Sequence, residues 1–535
     1  MKYLRKLIFC TTIGAAILTS CNKDGLKNLN INPQALNTID LNFLFTSAQL
    51  GAASGGSAGD NRYIDWRTNI GMASTAIQQV AVTGGIANAG DKYQDNFETS
   101  SAPFEFLYGD QLKNIGEILK QSGPGGFAEG KNQNLRHAAR ILRAFLYHRL
   151  TDYYGSVPYL EAQQASQGVF FPHYDKQKVI YADLLKELDE ATTAFGAADP
   201  ADGFGAADLY YNGDIVKWKK WGYSLMLRLA MRVSNVDVAM ANTYVAKAVA
   251  GGVFASNADN VIVPMAVAPS TWTNQNGISR AFIPGDGGNQ SFLSKTLIDW
   301  LKGANKNSTA DDDPRLMIIS GGIGNWTPTS WDPIVTDPLL QKGMPNGNDQ
   351  TRLEAIEGVS PLDLNATYSK INPLFLDRDE PYMLMNYGEV ELLLAEASEM
   401  GIGGLSAAGA EAHYVAGVKA SMQMYTIYDA SFVVSDAAAM AYIATYPYNI
   451  AKPALEMIGD HYWVNHFLNW WEAWSNWRRT GFPVLVPTNY PGNVTGGTIP
   501  QRLKYPNAEV AGNPNFSGAS ANDYTTKVWW AGGPD

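Results

Sequence analysis

The chain is dominated by a series of amphipathic helical segments joined mostly by short connections. In each segment apolar residues recur every three or four positions, which is the pattern of a helix with one buried face. The clearest segment ends at Tyr154 and Gly155, with Pro158 just beyond, and this order is typical of helix ends. The series recurs at roughly 35 to 45 residues and predicts an all-α fold built from helix pairs. We predict helices over residues 41–54, 62–82, 101–121, 134–154, 176–195, 215–233, 238–249, 291–301, 387–400, 405–425, 436–446 and 455–479.

The periodicity fails in the middle of the chain. Residues 256–379 are rich in Gly, Pro, Asn and Asp, and only 291–301 has a clear helical period. With 46% hydrophobic residues the chain is too apolar to be disordered, so these are long ordered loops, which tend to be functional. We predict one domain over 41–535, in which a helical scaffold lies mainly in 41–250 and 384–480. A loop-rich ligand region lies mainly in 83–100 and 256–379, and an irregular tail spans 481–535.

Five of the fourteen tryptophans lie between Trp463 and Trp477. On a single helix, most of them fall on one stripe, and a stripe of large aromatic rings is more often buried core than a platform for sugar rings. We therefore predict that this helix closes the core. Trp471 lies off the stripe and is the one candidate for the surface. Glu472 is expected to form an ion pair with Arg478 and Arg479 at the end of the helix.

The N-terminus has the features of a bacterial lipoprotein signal. Three basic residues precede a short apolar stretch, and the sequence then reads Leu-Thr-Ser-Cys up to Cys21. We predict a signal peptide over 1–20, a lipidated first residue at Cys21 and a flexible leash over 21–40. The stretch is too short to cross a bilayer, so the anchor would be lipid alone. The alternative is an ordinary secretory peptide with an incidental cysteine.

Charge and residue types exclude several classes of function. A net charge of -11 without a basic run argues against nucleic acid as a partner. The only other cysteine, Cys10, lies inside the signal, so thiol catalysis is excluded. His461 and His466 are on different helix faces and do not form a zinc pair. The three acids at 311–313 lack the spacing of a calcium loop, although a structural Ca²⁺ is left open. We expect no cofactor and no catalytic residue. Sugar hydrolysis would need two carboxylates at a set distance in space, and the sequence does not give that distance.

Several blocks, taken together and in order, resemble one family. The blocks are 140–145 (RILRAF), 150–159 (LTDYYGSVPY), 212–214 (NGD) with Trp218, 227–232 (LRLAMR), 313–316 (DPRL), 389–390 (EV) with 394–397 (LAEA), 472–483 (EAWSNWRRTGFP), 499–500 (IP) and 502–503 (RL). Together they resemble the SusD-like (SusD/RagB) outer-membrane lipoproteins of Bacteroidetes, and the resemblance runs from Cys21 almost to the C-terminus.

The resemblance implies a SusD-like α-α superhelix, in which four tetratricopeptide-like helix pairs form a scaffold and loops form a glycan site. It also implies a surface-exposed location on the outer membrane and a partner, a SusC-like TonB-dependent transporter that receives the ligand. The usual Trp, Gly and Tyr positions of the repeats are only partly kept here. Some relatives bind peptides rather than sugars, so the identity of the substrate does not carry over.

Aromatic residues on loops are the candidates for ligand contact. Sugars present flat apolar faces and a rim of hydroxyl groups, so a site needs exposed aromatic rings with amide or acidic side chains beside them. The alternative is that these rings are buried and fix their loops to the rest of the protein, as plugs. The candidates are Tyr93 with Asn96, Trp272 with Asn274, and Trp326 and Trp331.

The sequence thus predicts a non-enzymatic lipoprotein that binds an oligosaccharide and delivers it to a transporter. Two alternatives stay open. One is a peptide-binding member of the same fold, and the other is a helical-barrel glycoside hydrolase, which also has serial helices and aromatic loops.

Overall fold

The computed structural model of the protein describes residues 39–53, 63–197, 202–269, 274–282, 291–326, 331–519 and 521–535. The predicted signal peptide, Cys21 and most of the leash lie outside the described residues. The described part is mostly α-helical, which confirms the predicted fold class. Its α-helices are α1 (Leu41–Ala53), α2 (Asn88–Asp91), α3 (Phe97–Phe106), α4 (Leu112–Gln121), α5 (Gln133–Tyr154), α6 (Gln177–Ala194), α7 (Phe204–Ala207), α8 (Ile215–Arg232), α9 (Val238–Gly251), α10 (Gly277–Phe282), α11 (Lys295–Leu301), α12 (Leu316–Ile319), α13 (Gln350–Glu357), α14 (Tyr387–Glu399), α15 (Ala410–Gln423), α16 (Asp436–Thr445), α17 (Ala454–Asn465), α18 (Trp470–Thr480) and α19 (Asn507–Gly512).

Local chemistry sets the ends of the scaffold helices. Helix α5 ends at Tyr154 because Gly155 takes a φ of 80°, a conformation that favours glycine, as the sequence predicts. Helix α8 begins after Asp214, whose side chain accepts hydrogen bonds from the backbone N–H groups of Val216 and Lys217 at 2.9 and 3.2 Å. These bonds satisfy N–H groups that have no partner within the helix.

Consecutive helices pack as pairs. Helix α5 packs on α6, α8 on α9, and α14 on α15, while α8 also packs on α6 and α14. The helix-pair scaffold follows from the apolar faces that the sequence repeats. In the described part of the chain, no helix has both the length and the apolar character that crossing a bilayer requires.

Short strands lie in the loop-rich parts of the chain. Strand β1 pairs antiparallel with β3, β2 with β7, and β4 with both β5 and β6. The predicted helix over 291–301 is wrong at its start, because Ser291 to Leu293 pair with Val80 to Val82 and the Ser294 hydroxyl then caps α11. The strands are β1 (Val80–Val82), β2 (Val261–Val263), β3 (Ser291–Leu293), β4 (Ser320–Trp326), β5 (Trp331–Val335), β6 (Ser369–Ile371) and β7 (Tyr382–Met385).

The tryptophan-rich stretch forms two helices rather than the single helix predicted. Helix α17 ends at Asn465 and α18 begins at Trp470, with Leu468 at a φ of 76° between them. The side chain of Asn69 holds this break, since its amide donates to the Leu468 carbonyl and its oxygen accepts from the Trp471 N–H, both at 3.0 Å. A side chain distant in sequence satisfies the backbone groups that the break exposes.

The tryptophans are buried, as predicted for the core. Trp463, Trp470 and Trp474 are at most 1% exposed. The expectation that Trp471 reaches the surface is wrong, because this residue is also 1% exposed. Its ring packs edge-on against Phe145, with centroids 5.7 Å apart, and the Arg149 guanidinium lies 4.7 Å from its centroid. The chain changes direction at the break before α18. Trp471 therefore does not take the position that a single continuous helix would give it.

Buried ion pairs join α8 to α14 and α18. The Arg228 guanidinium donates to both carboxylate oxygens of Glu389, at 2.5 and 2.7 Å, and Arg232 donates to Glu472. The predicted pairing of Glu472 with Arg478 and Arg479 is therefore wrong. Those side chains lie about two turns away along α18, whereas α8 presents Arg232 directly.

Arg478 and Arg479 have other partners. Arg478 donates to the carbonyl groups of Asp152 and Gln501, at 2.7 and 2.9 Å, and so ties the tail to α5. Arg479 pairs with Glu396 on α14, at 2.5 and 2.6 Å. The end of α18 is thus fixed from two sides before the chain turns at Gly481.

A π-helix spans Asp65–Ser74 and contacts several other elements. It packs against α3, α10 and α18 and against the short helix α2. Gly90 on α2 permits this last contact, since a Cβ there would overlap the Met72 carbonyl oxygen and the Thr75 hydroxyl. π-Helical turns are rare and often occur at functional sites. This element brings the predicted ligand loops to the helical core.

Candidate functional site

The π-helix and α3 run side by side in opposite directions. Near one end, the rings of Tyr63 and Phe106 lie 4.4 Å apart, and further along the Thr68 hydroxyl donates to the Thr99 carbonyl at 2.8 Å. Both rings are partly exposed, as is Trp66 one turn along. We call Tyr63, Trp66 and Phe106 the aromatic face. Partly exposed rings held by packing are the type of surface on which a sugar ring stacks.

Arg67 connects the aromatic face to a charged edge. Its guanidinium lies 4.3 Å from the ring centroid of Trp66 and 5.0 Å from that of Tyr63, and it pairs with Glu98 at 2.5 Å. Burial raises the pKa of the Tyr63 hydroxyl, so this group stays protonated and can donate at neutral pH. The arrangement offers apolar ring faces together with hydrogen-bond donors and an acceptor, which is the chemistry that a carbohydrate requires.

Tyr93 does not have the exposed ring that ligand stacking requires. It is 1% exposed, its hydroxyl accepts from the Thr488 N–H at 3.0 Å, and its carbonyl accepts from the Val494 N–H at 2.8 Å. The ring is therefore a plug that fixes the loop to the C-terminal tail. Asp91 and Lys92 beside it form a buried ion pair at 2.9 Å, which serves the same loop.

Asn96 is placed at the start of α3, two residues before Glu98. Its side-chain oxygen accepts from the Thr99 N–H at 2.9 Å and so caps the helix. Its side chain is partly exposed, and in the described residues its amide NH₂ has no acceptor. Asn96 therefore lies near Glu98 in the chain, and its side-chain NH₂ group can donate a hydrogen bond to a ligand.

The structure describes the other four candidate residues, Trp272, Asn274, Trp326 and Trp331, only in part. Trp272 lies outside the described residues. Asn274 is partly exposed and comes three residues before α10, which packs on the π-helix. Trp326 and Trp331 are paired through their backbones at the end of the β4–β5 hairpin where the chain passes from one strand to the other. The backbone thus brings these two residues together.

The sequence interpretation placed Tyr63 and Trp66 in a helix over 62–82 and gave them no ligand role. The π-helical turns rotate side chains away from their α-helical positions, and no pattern in the sequence signals that change. The one available signal was Arg67 directly after Trp66 and four residues after Tyr63, a spacing that suits a partly exposed stack on a helix.

The acids at 311–313 do not act together. Asp313 pairs with Arg315 at 2.7 Å, and although burial alone would raise its pKa, Arg315 brings the pKa below its usual value. Asp311 accepts from the Tyr446 hydroxyl at 3.0 Å and from two backbone N–H groups. Burial raises the pKa of Asp312. The three carboxylates thus belong to different local interactions.

One other set of side chains has the spacing of metal ligands. His148, Asp152 and Glu472 place ligand atoms within 4.8 Å of one another in the described core. Arg232 pairs with both acids and Arg228 lies 3.9 Å from Glu472, so two positive charges already occupy the position that a cation would take. These residues fit an ion-pair network better than a metal site.

Comparison with known proteins identifies the family. Residues 33–506 match the sequence model of SusD-like proteins, described as starch-binding and associating with the outer membrane. The chain belongs to the SusD-like family. The resemblance found in the sequence motifs is therefore confirmed. No curated protein sequence matches the chain.

Solved structures agree with this SusD-like assignment. A chitin-binding protein is 32% identical, with a TM-score of 0.76 over 92% of this chain and 99% of its own. A SusD-like protein labelled Bacteroidetes AC2a is 25% identical, with the same TM-score, over 92% of this chain and 100% of its own. A chitin-binding SusD homologue from Flavobacterium johnsoniae shares the fold at 22% identity, with a TM-score of 0.69 and coverage of 92% and 98%.

Proposed function

We propose that this SusD-like protein is a cell-surface lipoprotein that binds an oligosaccharide and delivers it to a SusC-like TonB-dependent transporter, without chemistry of its own. The observation that carries the proposal is the match of residues 33–506 to a starch-binding family that associates with the outer membrane. The aromatic face with Arg67, Glu98 and Asn96 supplies a site of suitable chemistry.

The substrate class that we propose is a β-linked oligomer of N-acetylglucosamine. Two similar solved structures, at 32% and 22% identity, are named as chitin-binding. An N-acetylglucosamine unit has an apolar ring face for Trp66 and an acetamido group that both donates and accepts hydrogen bonds. Arg67 and Asn96 can donate to the acetamido carbonyl, and Glu98 can accept from a hydroxyl or the amide N–H.

Delivery to a transporter rests on the lipid anchor. Lipidation at Cys21 would hold the protein at the outer membrane through acyl chains, and the leash up to about residue 40 would let it cover a barrel beside it. Pull-down from outer membrane solubilised in mild detergent should recover a large β-barrel protein. Recovery of the protein without any such barrel counts against this part of the proposal.

Binding is tested by calorimetric titration with chitotetraose, maltotetraose and a tetrapeptide. Chitotetraose should bind and Trp66→Ala should weaken it about tenfold or more, as for other aromatic stacking surfaces. Phe127→Ala is the matched control, because Phe127 is 43% exposed on the loop before α5. Tight binding of the tetrapeptide alone would instead identify a peptide-binding member, and release of shortened sugars during the titration would identify a hydrolase.

A further inference from the structure

A second aromatic cleft lies between α11, α15, α16 and α17. Its volume is 360 Å³, and four of its lining residues are Trp300, Tyr414, Tyr442 and Tyr446. Pockets of this size accommodate a small ligand such as one or two sugar rings. The cleft shares no lining residue with the aromatic face.

The inner end of the cleft is a histidine surrounded by ring edges. The His461 ring lies nearly perpendicular to those of Trp300, Tyr414 and Tyr442, with centroids 5.2, 5.5 and 5.9 Å away. Arg315 donates to Nδ1 of His461 at 3.2 Å, so the proton of the neutral ring is on Nε2. Burial, together with Arg315, lowers the pKa of His461 to about 3. The Nε2–H group has no acceptor among the described residues and is available to a ligand.

Asp460 supplies an unsatisfied acceptor beside His461. It is 3% exposed and lines the cleft, and its Oδ2 atom accepts from Lys452 at 2.6 Å. Its Oδ1 atom is buried and has no hydrogen-bond partner in the described part of the chain. Burial raises the pKa of Asp460, and Lys452 and the nearby Trp300 indole offset part of this rise, although the indole lies outside hydrogen-bonding geometry for Oδ1. A buried acceptor without a donor is costly, so a ligand that donates here is favoured.

The outer wall is held in place before any ligand arrives. The Tyr446 hydroxyl donates to Asp311 Oδ2 and accepts from the Ala304 N–H, both at 3.0 Å. Gly303 has a φ of 62° and no side chain, which lets Tyr446 approach. Tyr442 packs against Tyr446 with ring centroids 5.3 Å apart. A fixed aromatic wall costs little conformational entropy on binding.

We propose that this cleft is a second sugar-binding site, which takes one or two pyranose rings of the oligosaccharide class given under the proposed function and rests on that function for its ligand. A sugar hydroxyl donates to Asp460 Oδ1, the His461 Nε2–H donates to a sugar oxygen, and Trp300 and Tyr442 contact the apolar ring face. A cationic ligand fits less well, because the Lys452 ammonium already occupies the other oxygen of Asp460.

Calorimetric titration of the full chain with chitotetraose tests the cleft. We expect two sites in the wild type. Trp66→Ala should weaken one of them, and Tyr442→Ala or Asp460→Asn should weaken the other about tenfold or more. Tyr442→Phe should keep that site, and Met440→Ala, an exposed change on the same helix, should change neither. Circular dichroism melting of each variant separates loss of binding from loss of folding.

The outcomes distinguish this inference from the proposed function. A single site that Trp66→Ala abolishes and that folded Tyr442→Ala and Asp460→Asn variants retain overturns the second site alone. Loss of binding only in the cleft variants supports the cleft and overturns the aromatic face. A wild type that binds no chitotetraose and no maltotetraose overturns both.

Discussion

The carboxylate of Glu472 accepts a hydrogen bond from Arg232, a residue 240 positions earlier in the chain. This contact joins α18, the last long helix, to α8 in the middle of the scaffold. The Tyr462 hydroxyl also donates to Glu472 at 2.8 Å, and Arg228 lies 3.9 Å away. The interior of the helical scaffold is thus held together by a connected set of charges as well as by apolar packing.

Substitution of Glu472 by Gln should destabilise the protein by about 3 to 5 kcal/mol, because it leaves buried guanidinium charges without their partner. Burial alone would raise the pKa of Glu472, but Arg232 and Arg228 hold it well below the usual value. This stabilisation is present above the unfolded-state pKa of 4.5 and is lost as the pH falls below it. Urea denaturation between pH 7 and pH 3 measures both effects.

The control for that series is Glu411→Gln on the exposed side of α15, which should leave stability within about 0.5 kcal/mol of the wild type. Equal stability of the Glu472 and Glu411 variants at pH 7 would contradict the role given to the ion pair.

Truncation of Trp470 or Trp474 to Ala should cost about 3 to 5 kcal/mol of stability. Both side chains are fully buried, and their indole N–H groups donate at 2.9 Å to Gln79 and to the Pro500 carbonyl. Thermal melting followed by circular dichroism measures the loss. Trp477→Ala, on the partly exposed end of α18, should cost less. Variants of Trp470 or Trp474 that melt normally and lose ligand binding would show that the helix is a ligand surface instead.

Glu380 should make the protein less stable as the pH rises. Burial raises its pKa to about 8, with further contributions from Asp377, Asp379 and Asp429. A group whose pKa is raised on folding stabilises the folded state below its unfolded value of 4.5, and this contribution is lost as the pH rises through 8.

Glu380→Gln should therefore be more stable than the wild type at pH 9, by about 1 to 2 kcal/mol once screening by solvent is allowed for. The two proteins should converge near pH 5, where the wild-type carboxyl is protonated. Denaturation curves at the two pH values provide the measurement, and a constant difference between them would rule out this titration.

Gly90→Ala should destabilise the loop that carries Tyr93. The added methyl group would overlap the Met72 carbonyl and the Thr75 hydroxyl of the segment that includes the π-helix, and overpacking of this kind costs about 1 to 3 kcal/mol. Gly84→Ala is the matched control, because a Cβ at Gly84 meets nothing within 4 Å. Hydrogen exchange across residues 83–96 should rise in the first variant and stay unchanged in the second.

Cys21→Ser should remove the lipid anchor and release the protein from membranes, since acyl chains would be its only attachment. Membrane fractionation and the mass of the N-terminal peptide check this prediction. Membrane association that persists without acylation would point to retention by a protein partner.

The sequence predicted elements whose causes are local. Helix α5 ends where Tyr154, Gly155 and Pro158 predict, because a left-handed glycine followed by proline stops a helix in any surroundings. The burial of Trp463, Trp470 and Trp474 was predicted in the same way, since large apolar rings at helical spacing lose most by exposure. The order of the signature blocks identified the SusD-like family.

Tertiary structure decided what depends on distant partners. Leu468 adopts a positive φ because Asn69 satisfies the break between α17 and α18, and that break buries Trp471. Tyr93 is a plug because Thr488 binds its hydroxyl, and neither residue signals the other in the sequence.

The candidate sites were harder to predict for the same reason. The aromatic face exists because Tyr63, just before the π-helix, packs against Phe106 on α3, and Arg67 in the π-helix lies over the rings of both Tyr63 and Trp66. The second cleft gathers Trp300, Tyr442 and Asp460 from three helices. The sequence alone determined that the fold is built mainly from helices, where a helix with a local stop signal such as α5 ends, and to which family the chain belongs. Which side chains meet was decided by packing between elements far apart in the chain, because hydrogen bonds and ring contacts depend on distance in space and leave no fixed spacing in the sequence.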